Sequence, residues 1–171
     1  MLPDPLHPAV VHFPIVFTFL LPLAAGFAIW RIRRGAQVLR AWPLTVVLAA
    51  ALSISAWVAV ETGERDEDGA ERIVGDAPMH GHEEAAERFL LLSGGLLAVA
   101  GAGLLRGRVG ALTRLAAAVG AVGMVAVGAQ VGHSGGELVY RHGAASAHVP
   151  GGNTVGDAPV EVGRSARGRD D

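Results

Sequence analysis

The histidines are the residues of this sequence best suited to chemistry. Seven occur among 171 residues, and six of them form three pairs in short segments: His7 and His12, His80 and His82, and His133 and His142. Neutral imidazole is a common ligand of haem iron, zinc and copper, and ligands from several helices at one end of a bundle often build such sites. The three pairs therefore predict a cofactor or metal site, provided that the fold brings them together.

Four apolar stretches could act as the scaffold for these histidines. They cover residues 10–30, 42–60, 89–105 and 112–131. A helix rises about 1.5 Å per residue, so each stretch is long enough to cross a hydrocarbon layer of about 30 Å. The composition, 51% hydrophobic, is also too apolar for an ordinary soluble domain. We predict an all-α fold, a four-helix transmembrane bundle embedded in a lipid bilayer.

The arginines predict how this bundle is oriented. Seven of them lie in the first and third connections: Arg31, Arg33, Arg34, Arg40, Arg106, Arg108 and Arg114. Short connections rich in arginine remain in the cytoplasm. The second connection, residues 61–87, carries ten acidic residues and two arginines. It and both termini are therefore expected on the extracytoplasmic side of a bacterial inner membrane, and all three histidine pairs would lie at that face.

The apolar stretches also divide the chain into a domain and a tail. Residues 1–145 are predicted to form the four-span transmembrane domain. Residues 146–171 are rich in Gly, Asp and Arg and have no apolar periodicity, so they are predicted to be a disordered tail. Each half of the domain has a helix, a basic turn and a helix, which suggests a weak internal duplication relating His12 to His82.

The position of each histidine relative to the apolar stretches ranks the candidate ligands. His12 and His133 lie about one turn inside the apolar boundary or directly at it, so they are the leading cofactor ligands, and His82 could replace either. Three further side chains are expected to orient these imidazoles or contact the cofactor: His7, Glu61 and His142. For a bound metal ion, the candidate ligands are His7, His12, His80, His82, His133, His142 and Glu61.

An acidic residue near His133 could extend this set. Glu137 follows His133 by four residues, which is a metal-ligand spacing on a helix. Gly135 and Gly136 lie between them and predict a break in the helix, because glycine is a poor helix former. The spacing of His133 and Glu137 is accordingly expected to be lost.

Several functions are excluded by what the sequence lacks. Without cysteine, the chain cannot hold an iron–sulfur cluster through thiolates or attach haem covalently. A P-loop, a dinucleotide fingerprint and the His-Glu-x-x-His motif of zinc proteases are absent from the sequence. We expect no enzymatic activity from the chain by itself and no nucleic-acid partner.

Two motifs carry a resemblance to a known family. Residues 6–15 have the sequence LHPAVVHFPI, and residues 135–143 have the sequence GGELVYRHG. Both resemble the motifs of an uncharacterised bacterial membrane family, domain of unknown function 2231, across residues 5–145. The resemblance implies a four-span membrane domain. Relatives fused to cytochrome c-like or Rieske-type modules imply a role in electron transfer.

The leading hypothesis joins the one-sided histidines to this family context. It is a membrane protein that binds a b-type haem, or another metal, and transfers electrons at the extracytoplasmic face, with a redox protein or membrane subunit as its partner. The first alternative is a non-haem metal protein, either a metal-sensing or metal-handling module or a small oxidase, whose histidine ligands are joined by Glu61, Glu83 or Glu137. The second alternative is a non-catalytic membrane subunit whose polar outer face docks a partner protein.

Overall fold

The chain is helical from end to end of the part that can be described. The computed structural model describes residues 6–144, apart from the side chains of residues 66–73. Its helices are α1 (His7–Val10), α2 (His12–Arg33), α3 (Val38–Ala41), α4 (Pro43–Val74), α5 (Asp76–Ala102) and α6 (Gly107–Tyr140). Residues 6–144 contain no strand, so the all-α prediction is confirmed. The predicted tail, residues 146–171, lies outside the described residues.

Four helical segments are long and apolar enough to cross a membrane. They are His7–Arg33, Pro43–Arg65, Asp76–Ala102 and Gly107–Tyr140. Each contains one of the apolar stretches seen in the sequence, except that Trp42 directly precedes the second segment and residues 103–105 lie just beyond α5. The four-span transmembrane bundle is therefore confirmed.

The long helices form a closed ring in which each packs against two neighbours. α2 contacts α4 and α6, and α5 also contacts α4 and α6. The centre is filled largely by small side chains, which allow helix backbones to approach closely in lipid. Its buried alanines are Ala25, Ala28, Ala49, Ala56, Ala100, Ala117 and Ala121. Large apolar side chains such as Leu23, Leu91 and Leu112 point outward, where lipid replaces water.

The two basic turns lie together at one end of the ring, which we call the arginine end. Trp42 is fully buried there, and its Nε1 donates a hydrogen bond of 2.8 Å to the carbonyl of Ala100. Arg114, which was expected in the third connection, instead lies within α6; it is buried and donates to the carbonyls of Gly103 and Leu105. A side chain at Gly103 would collide with the Trp42 ring. These bonds fasten α4 and α6 to the end of α5.

The opposite end, which we call the histidine end, departs from the sequence-based expectation in two places. Residues 61–87 are not a loop, because α4 and α5 extend until only Gly75 separates them. Gly75 has a φ of 82°, which a glycine adopts without strain. The predicted helix break at Gly135 and Gly136 is also wrong, since α6 continues to Tyr140. Glycine lowers helix propensity, but the flanking turns and packing against α5 outweigh that cost.

Candidate functional site

His7 is fixed by the backbone of α4. It begins α1, and its Nδ1 lies 2.8 Å from the carbonyl oxygen of Ala59. A carbonyl only accepts, so Nδ1 must carry the proton and donate it. Gly63 lies one turn after Ala59, and a Cβ added to it would come within 3.2 Å of Nδ1 of His7. The missing side chain of Gly63 therefore opens the Ala59 carbonyl to the imidazole.

His82 is fixed in the same manner by α6. Its Nδ1 lies 2.9 Å from Oγ of Ser134, and that hydroxyl donates its own proton to the carbonyl of Val131 at 3.0 Å. The hydroxyl must therefore accept from Nδ1 of His82. A Cβ on Gly135 would come within 3.1 Å of Cε1 of this imidazole. The half-buried His82 ring therefore also lies against a glycine of the neighbouring helix, Gly135 of α6.

The two imidazoles form a pair between the two halves of the bundle. Their ring centroids are 6.3 Å apart, and their planes are nearly perpendicular at 89°. Each ring is oriented by a hydrogen bond through Nδ1, and Nε2 is the second ring nitrogen, through which a neutral imidazole can bind a metal. The pairing thus holds two oriented imidazoles close together at one end of the bundle.

The two holding bonds also reveal an approximate repeat. Each joins residues 52 positions apart, from the start of the first helix of a half to the end of the second. Internal repeats often place a site at the interface of the halves. The sequence had related His12 to His82, whereas in this geometry His7 is the equivalent of His82.

The remaining predicted ligands lie on the exposed surface of the same end. His12 and His142 are exposed. Nδ1 of His80 is 3.4 Å from Glu83, and the His80 side chain is 78% exposed. Glu61 pairs with Arg65 at 2.8 Å. Among these side chains, none approaches another predicted ligand in the contacts described.

His133 belongs to a different surface, on the last turns of α6. Its Nε2 lies 3.7 Å from Glu137, which in turn pairs with Arg141 at 2.7 Å. The unbroken helix therefore preserves the four-residue spacing. A shallow groove of about 280 Å³ runs beside these residues, but neither His7 nor His82 lines it.

The metal-ligand predictions can be compared with the whole described region. Within residues 6–144, excluding the side chains of 66–73, no group of three or more His, Asp or Glu side chains could hold a metal ion. The His7–His82 pair is thus a two-ligand arrangement. A group bound there would have to supply its other donor atoms itself.

Three residues of this arrangement were missed by sequence reasoning: Gly63, Ser134 and Gly135. Ser134 and Gly135 directly follow His133 in the sequence. The only indication of their role that the sequence offered is that a small polar residue can face a histidine across a helix pair. Gly63 lies just beyond an apolar stretch, and its role depends on a contact with the far N-terminus.

These features define an integral membrane protein, a four-helix bundle with a histidine pair at one end. A family model described as Predicted membrane protein (DUF2231) matches residues 3–148. The chain belongs to this family, as its two motifs suggested. No curated protein and no solved structure matches the chain.

Proposed function

We propose that the chain is a membrane electron-transfer protein that binds a b-type haem between His7 and His82. The observation that carries the proposal is the pair of imidazoles, each oriented by a hydrogen bond through Nδ1, with ring centroids 6.3 Å apart. Metal–nitrogen bonds of about 2 Å place two imidazole rings on opposite sides of one ion roughly 6 Å apart. The centroid separation of 6.3 Å agrees with that arrangement.

The number of ligands favours haem over a bare metal ion. Zinc in structural sites takes four protein ligands, and catalytic zinc usually takes three. The described part of the chain brings together only two. A porphyrin supplies four nitrogens to its iron, and His7 and His82 would supply the two further ligands of a six-coordinate haem.

The same pair favours electron transfer over chemistry on a substrate. A b-type haem supplies a one-electron couple. With His7 and His82 on both axial positions, no position remains for a small molecule. Ala59 and Ser134 would hold each imidazole in one tautomer and orientation, which strengthens it as a ligand. The redox partner, and the side of the membrane on which the histidine pair lies, stay predictions. The arginine asymmetry favours the extracytoplasmic face.

The proposal replaces both of the ligands that ranked first in the sequence. Position in the sequence favoured His12 and His133, which are both exposed in the structure. Burial and fixed hydrogen bonds instead favour His7 and His82. The four histidines can therefore be tested against each other in one experiment.

The experiment compares absorption spectra of single variants. The protein is expressed in a haem-producing bacterium, purified in mild detergent, and measured oxidised and dithionite-reduced, with elemental analysis of bound metal. We expect a Soret band, and α and β bands that sharpen on reduction. His7→Ala and His82→Ala should each lose this six-coordinate spectrum, while the controls His12→Ala and His133→Ala keep it. Circular dichroism should show that all four variants remain helical.

The other outcomes are equally informative. If His12→Ala loses the spectrum and His7→Ala retains it, the axial assignment to His7 is wrong. A colourless protein with stoichiometric zinc, copper or iron would replace haem with the non-haem alternative. A protein without colour or metal, even after incubation with haemin, would overturn the proposal and leave partner docking as the function to pursue.

A further inference from the structure

The end of α2 carries an aromatic and cationic stack that no part of the proposed function uses. The rings of Phe27 and Trp30 are stacked, with centroids 5.7 Å apart and an interplanar angle of 28°. The guanidinium carbon of Arg34 lies 5.5 Å from the centroid of the Trp30 ring. Phe27 is 56% exposed and Trp30 53% exposed, so both face outward from the bundle.

The position of this stack matches the border between acyl chains and headgroups. α2 presents a lipid-facing apolar surface that includes Leu23 and Phe27, and the helix ends at Arg33. Tryptophan concentrates at that border, because its ring is apolar and its N–H is polar. Arg34 is held over the indole by a cation–π contact, so its charge is fixed at headgroup level.

The charges at the arginine end form no ion pair with a carboxylate among residues 6–144, leaving aside the side chains of 66–73. No Asp or Glu occurs between Asp4 and Glu61, or between Glu87 and Glu137. The carboxylates in the ion pairs of the described residues are Glu61, Glu83, Glu84 and Glu137, all on the histidine-end segments of their helices. Within the described residues the Arg34 charge is therefore paired with no carboxylate, and an anion from outside the bundle would complement it.

We propose that Trp30 and Arg34 form a binding site for an anionic phospholipid. The lipid's phosphate would contact the Arg34 guanidinium, while its acyl chain would lie along Phe27 and Leu23. Charge complementarity favours a headgroup with net negative charge, such as phosphatidylglycerol, over a zwitterionic one. This site is at the opposite end of the bundle from the histidine pair, so lipid binding and haem binding can be tested independently.

The tryptophan distribution makes the site measurable. The chain has three tryptophans, and Trp42 is completely buried. Replacing the lipid-exposed Trp57 by phenylalanine therefore leaves Trp30 as the tryptophan that lipids can reach. Quenching is recorded in vesicles of phosphatidylcholine that contain a small fraction of phosphatidylglycerol or phosphatidylcholine brominated near the headgroup end of the acyl chain.

We expect brominated phosphatidylglycerol to quench Trp30 more strongly than brominated phosphatidylcholine at equal fractions. Arg34→Gln should lower this preference about fivefold, as one basic group near an anionic surface would. Arg88→Gln, at the other end of the bundle, is the matched control and should leave it unchanged. Equal quenching by both lipids in the Trp57→Phe protein, or a preference that Arg34→Gln does not alter, would overturn the proposal.

Discussion

The two ends of the bundle use the same device for different purposes. At both ends, a side chain of one helix donates to a backbone or hydroxyl oxygen of another. At the arginine end Trp42 has one donor, and the Ala100 carbonyl accepts it, so the bond only fastens helices. At the histidine end His7 bonds the Ala59 carbonyl through Nδ1, and an imidazole has a second ring nitrogen that can act as a metal ligand. The comparison indicates that a polar bond between helices is a candidate site when the donor side chain also contains a second atom of a type that binds metals.

Burial separates the two ends as clearly as bonding does. Trp42 is 0% exposed and lies in the core cluster with Ala100, whereas His7 and His82 are only half-buried. Arg114 is buried with its charge facing the carbonyl end of α5, where the helix dipole stabilises a cation. Changes at the arginine end should therefore alter stability, and changes at the histidine end should alter binding.

The largest expected effect breaks the arginine end. Trp42→Ala removes a buried ring and leaves the Ala100 carbonyl without its indole donor, so it should lower the free energy of unfolding by about 3–5 kcal/mol. Thermal unfolding in detergent, followed by circular dichroism, measures the loss. Trp57→Ala is the control, because Trp57 is 56% exposed and should cost about 1 kcal/mol or less. Similar losses from both variants would contradict a structural role specific to Trp42.

A smaller effect is expected at the histidine end, on binding and not on stability. In Gly135→Ala the new Cβ would lie 3.1 Å from Cε1 of His82, so the ring must move. Displacing a ligand from its orienting partner costs about 10–100-fold in metal affinity, and we expect about a tenfold loss of haem affinity by titration with haemin. The helix itself should be stabilised slightly, because alanine replaces glycine.

The neighbouring glycine provides a matched control for this prediction. A Cβ on Gly136 would meet nothing within 4 Å, so Gly136→Ala should keep the haem affinity of the parent. If both variants bind haem as the parent does, the His82 ring is not held against Gly135 in the functional protein. If both variants lose haem affinity equally, the loss comes from a change in the helix and not from displacement of the His82 imidazole.

The membrane-spanning part of the fold could be predicted from the sequence because each span is a continuous apolar run. The charged helix ends could not be predicted, because an acidic segment has a composition that is typical of a loop as well as of an exposed helix. Salt bridges four residues apart, such as Glu61–Arg65 and Glu84–Arg88, support these exposed turns. The apolar content of the sequence therefore predicts the membrane-spanning segments but not how far the helices extend beyond them.

The candidate site was predicted in part, for a related reason. The sequence placed His7 and His82 in the histidine set and at one end of the bundle. It ranked them below His12 and His133, because their hydrogen bonds join residues 52 positions apart and depend on glycines of other helices. His12 ranked higher from its depth along one helix, but depth does not reveal which side of that helix faces the bundle.

The smallest expected effect tests whether the histidine site extends to its acidic neighbours. Glu61 was a predicted metal ligand, yet it pairs with Arg65 at the surface, with side chains 42% and 70% exposed. Exposed pairs of this kind contribute about 0–1 kcal/mol, so Glu61→Gln and Arg65→Gln should change the unfolding free energy equally and by less than about 0.5 kcal/mol. Spectra and bound metal should match the parent in both. Loss of bound metal in Glu61→Gln alone would assign Glu61 a role as a ligand, because Arg65→Gln breaks the same ion pair without removing the carboxylate.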